Sequence, residues 1–479
     1  MSGLIRISGG ASTGKENKVP VVMNLLSSEQ TANTISISYY AKDYNGTILR
    51  HYIYLDGAKT EITDNVVFDS EYGIFRYILT GLTKSTTYNI QIEVSDGLDI
   101  ARSDTLTIAT KEYVIYGVRV NEENMNPKTR AEYIDDAKGM IPMSIYSNGS
   151  DWEKKFPFKE FKIVGLKNGQ ITKEINQKNK KQYLDGEAVP KDVDVMLKIP
   201  KIYWDFKSIK NGYELRISDI KFNETCDCYA HKVNGIEKDY IYVGIYSGYE
   251  ENGKLRSISG VTPTLKANNE DCCTVFRTLA QANGKGYQAY NWFTHLLIQI
   301  LYLIAYCNFD SQKVIGIGNN YFRQTGYSDG DSLFHRNNLI LGIEDFYLYQ
   351  TYQRIFIDGI FTKNTGMGVD INILLDNNNF DINEKYMKIE NYKTYYSGIF
   401  VQKVIHSNEC GFIVLYSSSS SFQDASNNVH YCDRQSFSYD GNVFASGNWE
   451  KENGVFSFSQ ETKSNSTKRI GTRLVYLGE

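Results

Sequence analysis

Between Val19 and Thr110 apolar and polar residues alternate in short runs separated by turn residues: ISISYYAKD, LRHYIYLDG, RYILTGLTK, TTYNIQIEVSDG and TLTIAT. Alternation with a period of two predicts half-buried strands. Their regular spacing predicts a β-sandwich, with Asp96-Gly97 as a hairpin turn. Further on, Val195-Met196-Leu197-Lys198-Ile199-Pro200-Lys201-Ile202-Tyr203-Trp204 reads as one buried strand, with Pro200 at a bulge or edge. Asp239–Tyr246 reads as another core strand.

From Cys273 to Asn308 the pattern becomes helical. TVFRTLAQANGKG places Val275, Phe276, Leu279 and Ala280 on one face, and Gly284 is read as its stop. YQAYNWFTHLLIQILYLIAYCN is apolar but interrupted by Asn291, Thr294, His295 and Gln299. A membrane span needs about 20 mainly apolar residues, so this run predicts a helix buried between sheets. His295 is then a hydrogen-bonded core histidine. Residues 319–442 are rich in Asn, Asp, Ser and Gly between short strands. Asp376-Asn377-Asn378-Asn379 and Asp381 offer calcium-type oxygens without DxDxDG spacing, which favours a solvated loop.

Composition narrows the function classes. A chain of 479 residues predicts two to four domains. A net charge of −4 supplies no basic field, which argues against nucleic acid as a main partner. The 37 tyrosines and 23 phenylalanines against 7 prolines favour strand-and-loop surfaces that bind by stacking and hydrogen bonding. An AT-rich genome would give the same bias. The N-terminal MSGLIRISGGASTGKENK lacks the apolar core of a secretory signal. A chain that combines extracellular-type modules with no export signal is expected to be assembled in a host cytoplasm and released by lysis, as the proteins of a phage or tail-like particle are. Seven cysteines include Cys226-Asp227-Cys228 and Cys272-Cys273, neither with zinc-type CxxC spacing, so buried free thiols are expected.

The C-terminal stretch from Phe444 to Tyr476 alternates frame and fill. Gly447, Trp449, Gly454-Val455-Phe456, Ile470-Gly471 and Leu474-Val475 are the frame. Short polar residues lie between them. The order G-x-W-x-x-x-x-G-[AV]-[LF], then Ser464-Asn465-Ser466, then Ile470-Gly471-Thr472-Arg473-Leu474, resembles the end of the C-type-lectin-like fold. Formylglycine-generating enzymes and phage variable receptor-binding proteins share that fold. In the phage proteins the fill positions contact the host. The resemblance therefore implies a ligand face (444–473) made by Asn448, Glu450, Lys451, Glu452, Ser457, Ser459, Glu461, Thr462, Lys463, Asn465 and Thr467.

Two further resemblances extend this one. Leu79-Thr80-Gly81-Leu82 followed by Thr87-Tyr88-Asn89-Ile90-Gln91-Ile92 is similar to a fibronectin type III domain, in which the leucine tucks under the sheet and the tyrosine packs at a corner. Tyr116-Gly117-Val118, Asn126-Pro127, Thr129-Arg130, Asp135-Asp136-Ala137 and Gly139-Met140 resemble the opening of Gram-positive phage structural proteins, and the Val195–Trp204 run continues that likeness. Asp135 and Asp136 are read as braces of local structure, with a metal site as the alternative. An Ile7-Ser8-Gly9-Gly10 arm also begins many Firmicute phage structural proteins.

The expected architecture is thus multidomain and β-rich. Residues 1–18 form an arm for virion attachment, 19–111 a fibronectin type III-like β-sandwich, and 112–479 an α+β C-type-lectin-like domain. The expected function is a phage adhesin that binds a host-surface glycan or protein, with other virion proteins as partners through the arm. The alternative is a virion decoration protein that never touches the host. No catalytic residue, cofactor, metal, nucleic-acid contact or membrane insertion is expected. The copper-binding cysteine pair of the formylglycine-generating branch has no counterpart between Gly447 and Arg473, and no Ser-His-Asp arrangement, HExxH, P-loop or GxGxxG occurs. Phage adhesins are commonly trimers. By analogy a homotrimer is one arrangement, and the sequence leaves the oligomeric state open.

Overall fold

The structure is a computed structural model. It describes residues 17–30, 34–45, 49–110, 112–124, 126–144, 150–233, 235–267, 272–316, 324–330, 339–347, 353–358, 360–365, 368–374, 386–392, 399–400, 403–407, 411–415, 434–436, 441–446, 454–462 and 469–478. The chain divides into two compact units, Met1–Tyr113 and Val114–Glu479. Its sheets are dominated by antiparallel pairings.

In the first unit β1 (Val21–Gln30), β2 (Ile35–Lys42), β5 (Val67–Asp69) and β6 (Ile74–Leu79) form one sheet in the order β1-β2-β6-β5. The second sheet contains β3 (Arg50–Leu55), β4 (Ala58–Glu61), β7 (Thr87–Ser95), β8 (Ile100–Arg102) and β9 (Leu106–Ala109), with both β8 and β9 paired to β7. Alternation explains the packing. Ile35, Ile37 and Tyr39 of β2 meet Tyr88, Ile90, Ile92 and Val94 of β7 in one core. At the corner before β7, the Tyr88 hydroxyl accepts the Thr83 N–H at 2.7 Å. The four-residue turn from Asp96 is held by its own carboxylate, which accepts the N–H groups of Leu98 and Asp99.

Two buried ionisable groups make this unit acid-sensitive. His51 is 3% exposed, and its Nδ1 lies 2.8 Å from the Tyr39 hydroxyl. Burial lowers its pKa from 6.5 to about 4. Burial acts to raise the Glu93 carboxyl, but hydrogen bonds from Lys59, Arg102 and Tyr54 outweigh it and bring the group to about 2. Both groups bind protons more tightly in the unfolded chain, so stability is complete above pH 6.5 and is lost as pH falls. The loss runs from 6.5 towards 4 through His51, and from 4.5 towards 2 through Glu93. At about 1.4 kcal/mol per unit, His51 alone accounts for roughly 3 kcal/mol. Thermal melts of the Met1–Tyr113 fragment are expected to show β-type circular dichroism at pH 7 and a falling melting temperature below pH 6.5. A melting temperature that is flat down to pH 4 would contradict the burial of His51.

The second unit is built on three larger sheets. β10 (Ile115–Asn121), β11 (Ala131–Asp135), β15 (Tyr203–Ile209) and β16 (Gly212–Ser218) pair in the order β11-β10-β16-β15. β12 (Lys162–Lys167), β13 (Gln170–Glu174), β14 (Asp194–Pro200), β19 (Tyr240–Gly244), β23 (Tyr287–Ala289) and β37 (Leu474–Tyr476) pair in the order β13-β12-β14-β19-β37-β23. β22 (Lys266–Ala267), β26 (Gln353–Phe356), β30 (Ile399–Phe400), β33 (Arg434–Ser436), β34 (Gly441–Ser446), β35 (Phe458–Thr462) and β36 (Arg469–Gly471) pair in the order β22-β36-β26-β34-β35-β33-β30. β27 (Ile360–Thr365), β28 (Gly368–Leu374) and β29 (Tyr386–Tyr392) form a meander. The hairpins are β17 (Lys232–Val233) with β18 (Ile236–Glu237), β20 (Tyr249–Glu251) with β21 (Lys254–Arg256), β24 (Leu339–Ile340) with β25 (Ile343–Glu344), and β31 (Lys403–Ser407) with β32 (Gly411–Leu415).

Among the described residues the α-helices are α1 (Cys272–Gln281), α2 (Trp292–Tyr306) and α3 (Ser311–Ile315). All 15 residues of α2 are buried. Asn291 caps its start by accepting the Thr294 N–H, and Cys307 ends it in the left-handed region. Its polar residues are accommodated inside the core. His295 Nδ1 lies 3.3 Å from the Tyr290 hydroxyl, and its ring stacks on Phe346. Gln299 donates to the Val455 carbonyl at 2.9 Å. Among the described residues no helix is long and apolar enough to cross a membrane.

Some local readings are corrected. Val195–Trp204 is not one strand: β14 ends at Pro200 and β15 begins at Tyr203 in a different sheet. Pro200 sits on an interior strand, but past Lys198, where the ladder with β12 ends, so β12 does not ask for its missing N–H. Tyr287–Ala289, read as helical, is a strand because it completes the sheet beside β37. Asp135 and Asp136 act as braces. Asp136 accepts the Ile115 N–H at 2.8 Å, and Asp135 pairs with Arg216 at 2.8 Å.

Candidate ligand face and the frame beneath it

The C-terminal strand β37 is an interior strand of the six-stranded sheet, one place in from its edge strand β23. Val475 faces Val243 of β19 on one side and Gln288 of β23 on the other. Leu474, Val475 and Leu477 are fully buried. The preceding Thr472 is tied at both ends: its hydroxyl donates to the Phe356 carbonyl at 3.2 Å, and its carbonyl accepts the Gly248 N–H at 2.7 Å.

Arg473 is the centre of a buried polar cluster. Its guanidinium has no solvent exposure and donates to the carbonyls of Ile245 and Glu344. Burial pulls its pKa down, while Tyr290, Asp345, Tyr327 and Glu344 act in the opposite direction. The Glu344 carboxyl is raised by burial to about 7, although its oxygens accept hydrogen bonds from Ser328 and Gly326. These are the Ser328 N–H at 2.8 Å, the Ser328 hydroxyl at 2.6 Å and the Gly326 N–H at 3.1 Å. Asp329 accepts from the Tyr246 hydroxyl and from Ser259 Oγ at 2.5 Å. Gly326 is required here, because a Cβ would meet Ser259 Oγ at 2.1 Å. The cluster stitches residues 324–330 to the C-terminal strands. Its one sequence signal is a charged residue inside the apolar run I-G-T-R-L-V-Y.

The second frame piece is the Gly454–Ser457 turn. Val455 and Phe456 are buried. The Val455 N–H donates to Ser311 Oγ at 3.1 Å, tying the turn to α3. Phe456 lies against the rings of Tyr302 and Phe309.

The expected contact residues are distributed as follows. Ser457 is a correction: it is fully buried, and its hydroxyl accepts the Gly454 N–H at 2.8 Å. It closes the turn and belongs to the frame, because a polar side chain this deep is kept by its hydrogen bond. Ser459, Glu461 and Thr462 lie on β35, at register positions opposite Ala445, Val443 and Gly441 of β34. Asn448, Glu450, Lys451, Glu452, Lys463, Asn465 and Thr467 lie outside the described residues, as do Gly447, Trp449 and the Asp376–Asp381 stretch.

One group of ligand-type side chains was not anticipated. Oxygens of Asp227 and Glu237 and the Cys228 sulfur lie within 4.8 Å of one another. Lysines already neutralise both carboxylates, Lys232 pairing with Asp227 and Lys201 with Glu237. Tyr203 also donates to Glu237. Burial pushes the Cys228 thiol up to about 12, so beside these lysine-paired carboxylates it is a neutral thiol. Cys226, Cys228 and Cys307 are buried free thiols. Excess EDTA is therefore expected to leave the melting temperature unchanged. A drop of several degrees would assign a structural metal to this cluster or to another set of ligands.

No protein-family model matches this chain, and no curated protein matches it.

Proposed function

We propose that the chain is a surface adhesin of a Gram-positive phage virion. The first unit is a fibronectin type III-like spacer, and the second a C-type-lectin-like domain whose C-terminal face binds a host-surface glycan or protein. The arm joins other virion proteins, assembly takes place in the host cytoplasm, and the chain performs no catalysis. The reading is carried chiefly by one observation. The motif residues Gly454–Phe456 and Ile470–Leu474 are buried and bonded into the core, and most of the polar fill lies between them in sequence. A rigid frame that tolerates change in its connecting segments is what an adaptable contact surface needs. Two features support the spacer assignment: the Tyr88 hydroxyl bonded back to Thr83, and the two-sheet strand order.

Gold-labelled antibody on intact particles tests the placement. Label at the tail tip or on projecting fibres is expected. Label spread evenly over the capsid shell, with no effect of the antibody on adsorption, would favour decoration. Particles without the protein would end the virion reading.

A further inference from the structure

The second unit contains a half-open cleft of about 320 Å³ with mixed polar and apolar walls, well removed in sequence from residues 444–473 and lined by Arg119, Asn121, Thr129, Glu132, Ile209 and Asn211 among others. We propose that it is a binding site for a neutral saccharide ring.

The walls are pre-formed. Along the 121–130 loop, the side-chain oxygens of Asn121, Asn124 and Asn126 each accept the N–H two residues on. The facing wall is the β15–β16 turn. Asn211 bridges to this loop, its side chain donating to Glu123 at 2.9 Å and its carbonyl accepting the Glu122 N–H at 2.8 Å. The turn approaches β10 so closely that a Cβ on Gly212 would meet the Val120 carbonyl at 1.9 Å. Buried Arg130 fixes the base of the loop by donating to the Glu122 carbonyl at 3.2 Å. A site held in this way pays little ordering entropy on binding.

Charge selects the ligand class. Arg119 is clamped to Glu214 at 2.7 Å and to Glu132 at 3.2 Å. Glu122 and Glu123 sit on the same loop. Four carboxylates stand here against the guanidinium groups of Arg119 and Arg130, which disfavours an anion, and Glu214, Glu132 and Glu123 are already engaged by Arg119 and Asn211, which disfavours a free cation. Amide, hydroxyl and carboxylate groups on the walls offer both donors and acceptors, as a polyol requires, and Ile209 offers a C–H surface. The volume is at the lower end of the ~300–1,000 Å³ range of small-ligand pockets, which fits one ring. The site stands independently of the attachment reading.

The test uses the full chain with glucose, galactose and N-acetylglucosamine as probes, read by saturation-transfer NMR and calorimetry, and glucuronate and inorganic phosphate as charged controls. Binding of at least one neutral sugar is expected, with no preference for the anions. Thr129→Trp and Ile209→Trp, which put bulk into the mouth, are each expected to weaken binding at least tenfold at an unchanged melting temperature. If either tryptophan lowers the melting temperature, Asn211→Ala replaces it, with the same expected loss. A variant with the C-terminal polar fill replaced should bind the sugar as the native chain does. Absence of neutral-sugar binding, a preference for phosphate or glucuronate, or native affinity in the folded cleft variants would overturn the proposal. So would loss of the sugar in the C-terminal variant alone.

Discussion

Deleting Arg473–Glu479 is expected to leave the second unit without a cooperative fold, while the first unit melts as before. The deletion removes an interior strand, since β37 lies between β19 and β23. Leu474, Val475, Tyr476 and Leu477 are at most 5% exposed, and burying side chains of this size contributes roughly 1.5–3 kcal/mol each. Removing Arg473 also leaves the buried carbonyls of Ile245 and Glu344 without their donor, which typically costs about 1–3 kcal/mol. The total, on the order of 10 kcal/mol, is comparable with the whole stability of an ordinary domain, ~5–15 kcal/mol. Calorimetry of the native chain and the truncation is the check. Two transitions in the truncation, both at native temperatures, would show that the C-terminal strand is dispensable. Arg473→Met, which keeps the strand and its volume, is the milder companion.

The second large effect concerns attachment. Replacing Asn448, Glu450, Lys451, Glu452, Ser459, Glu461, Thr462, Lys463, Asn465 and Thr467 together is expected to abolish host attachment while the protein still folds and enters particles. Ser457 is left native because its hydroxyl closes the Gly454 turn. Each surface change usually shifts stability by less than about 0.5 kcal/mol, whereas a central contact residue contributes more than ~2 kcal/mol to binding. Loss of two such contacts weakens binding about a thousandfold. Adsorption assays with particles carrying the variant read this directly. Full adsorption would move the binding site elsewhere in the chain, and loss of incorporation would favour the decoration reading.

The sequence disclosed the parts of the fold that depend on local periodicity. β2 and β7 were legible because Ile35-Ile37-Tyr39 and Tyr88-Ile90-Ile92-Val94 alternate cleanly. β1 was not, because two register shifts against β2 break its period. The buried helix was legible from its apolar run, but its first turn was misplaced: pairing with a strand nearly two hundred residues away (~190) turns Tyr287–Ala289 into β23. The Arg473 cluster was hidden for the same reason. Its acceptors are 129 and 228 residues distant in sequence, and nothing local encodes them. Of the expected face, burial moves Ser457 into the frame.

The most direct measurement is equilibrium binding of the fluorescently labelled full chain to host cells, with intact particles as competitor. Saturable labelling that the particles displace, and that in turn blocks their adsorption, is the expected result. A folded, particle-incorporated chain that leaves host cells unlabelled and adsorption unaffected would contradict the assignment of an adhesin.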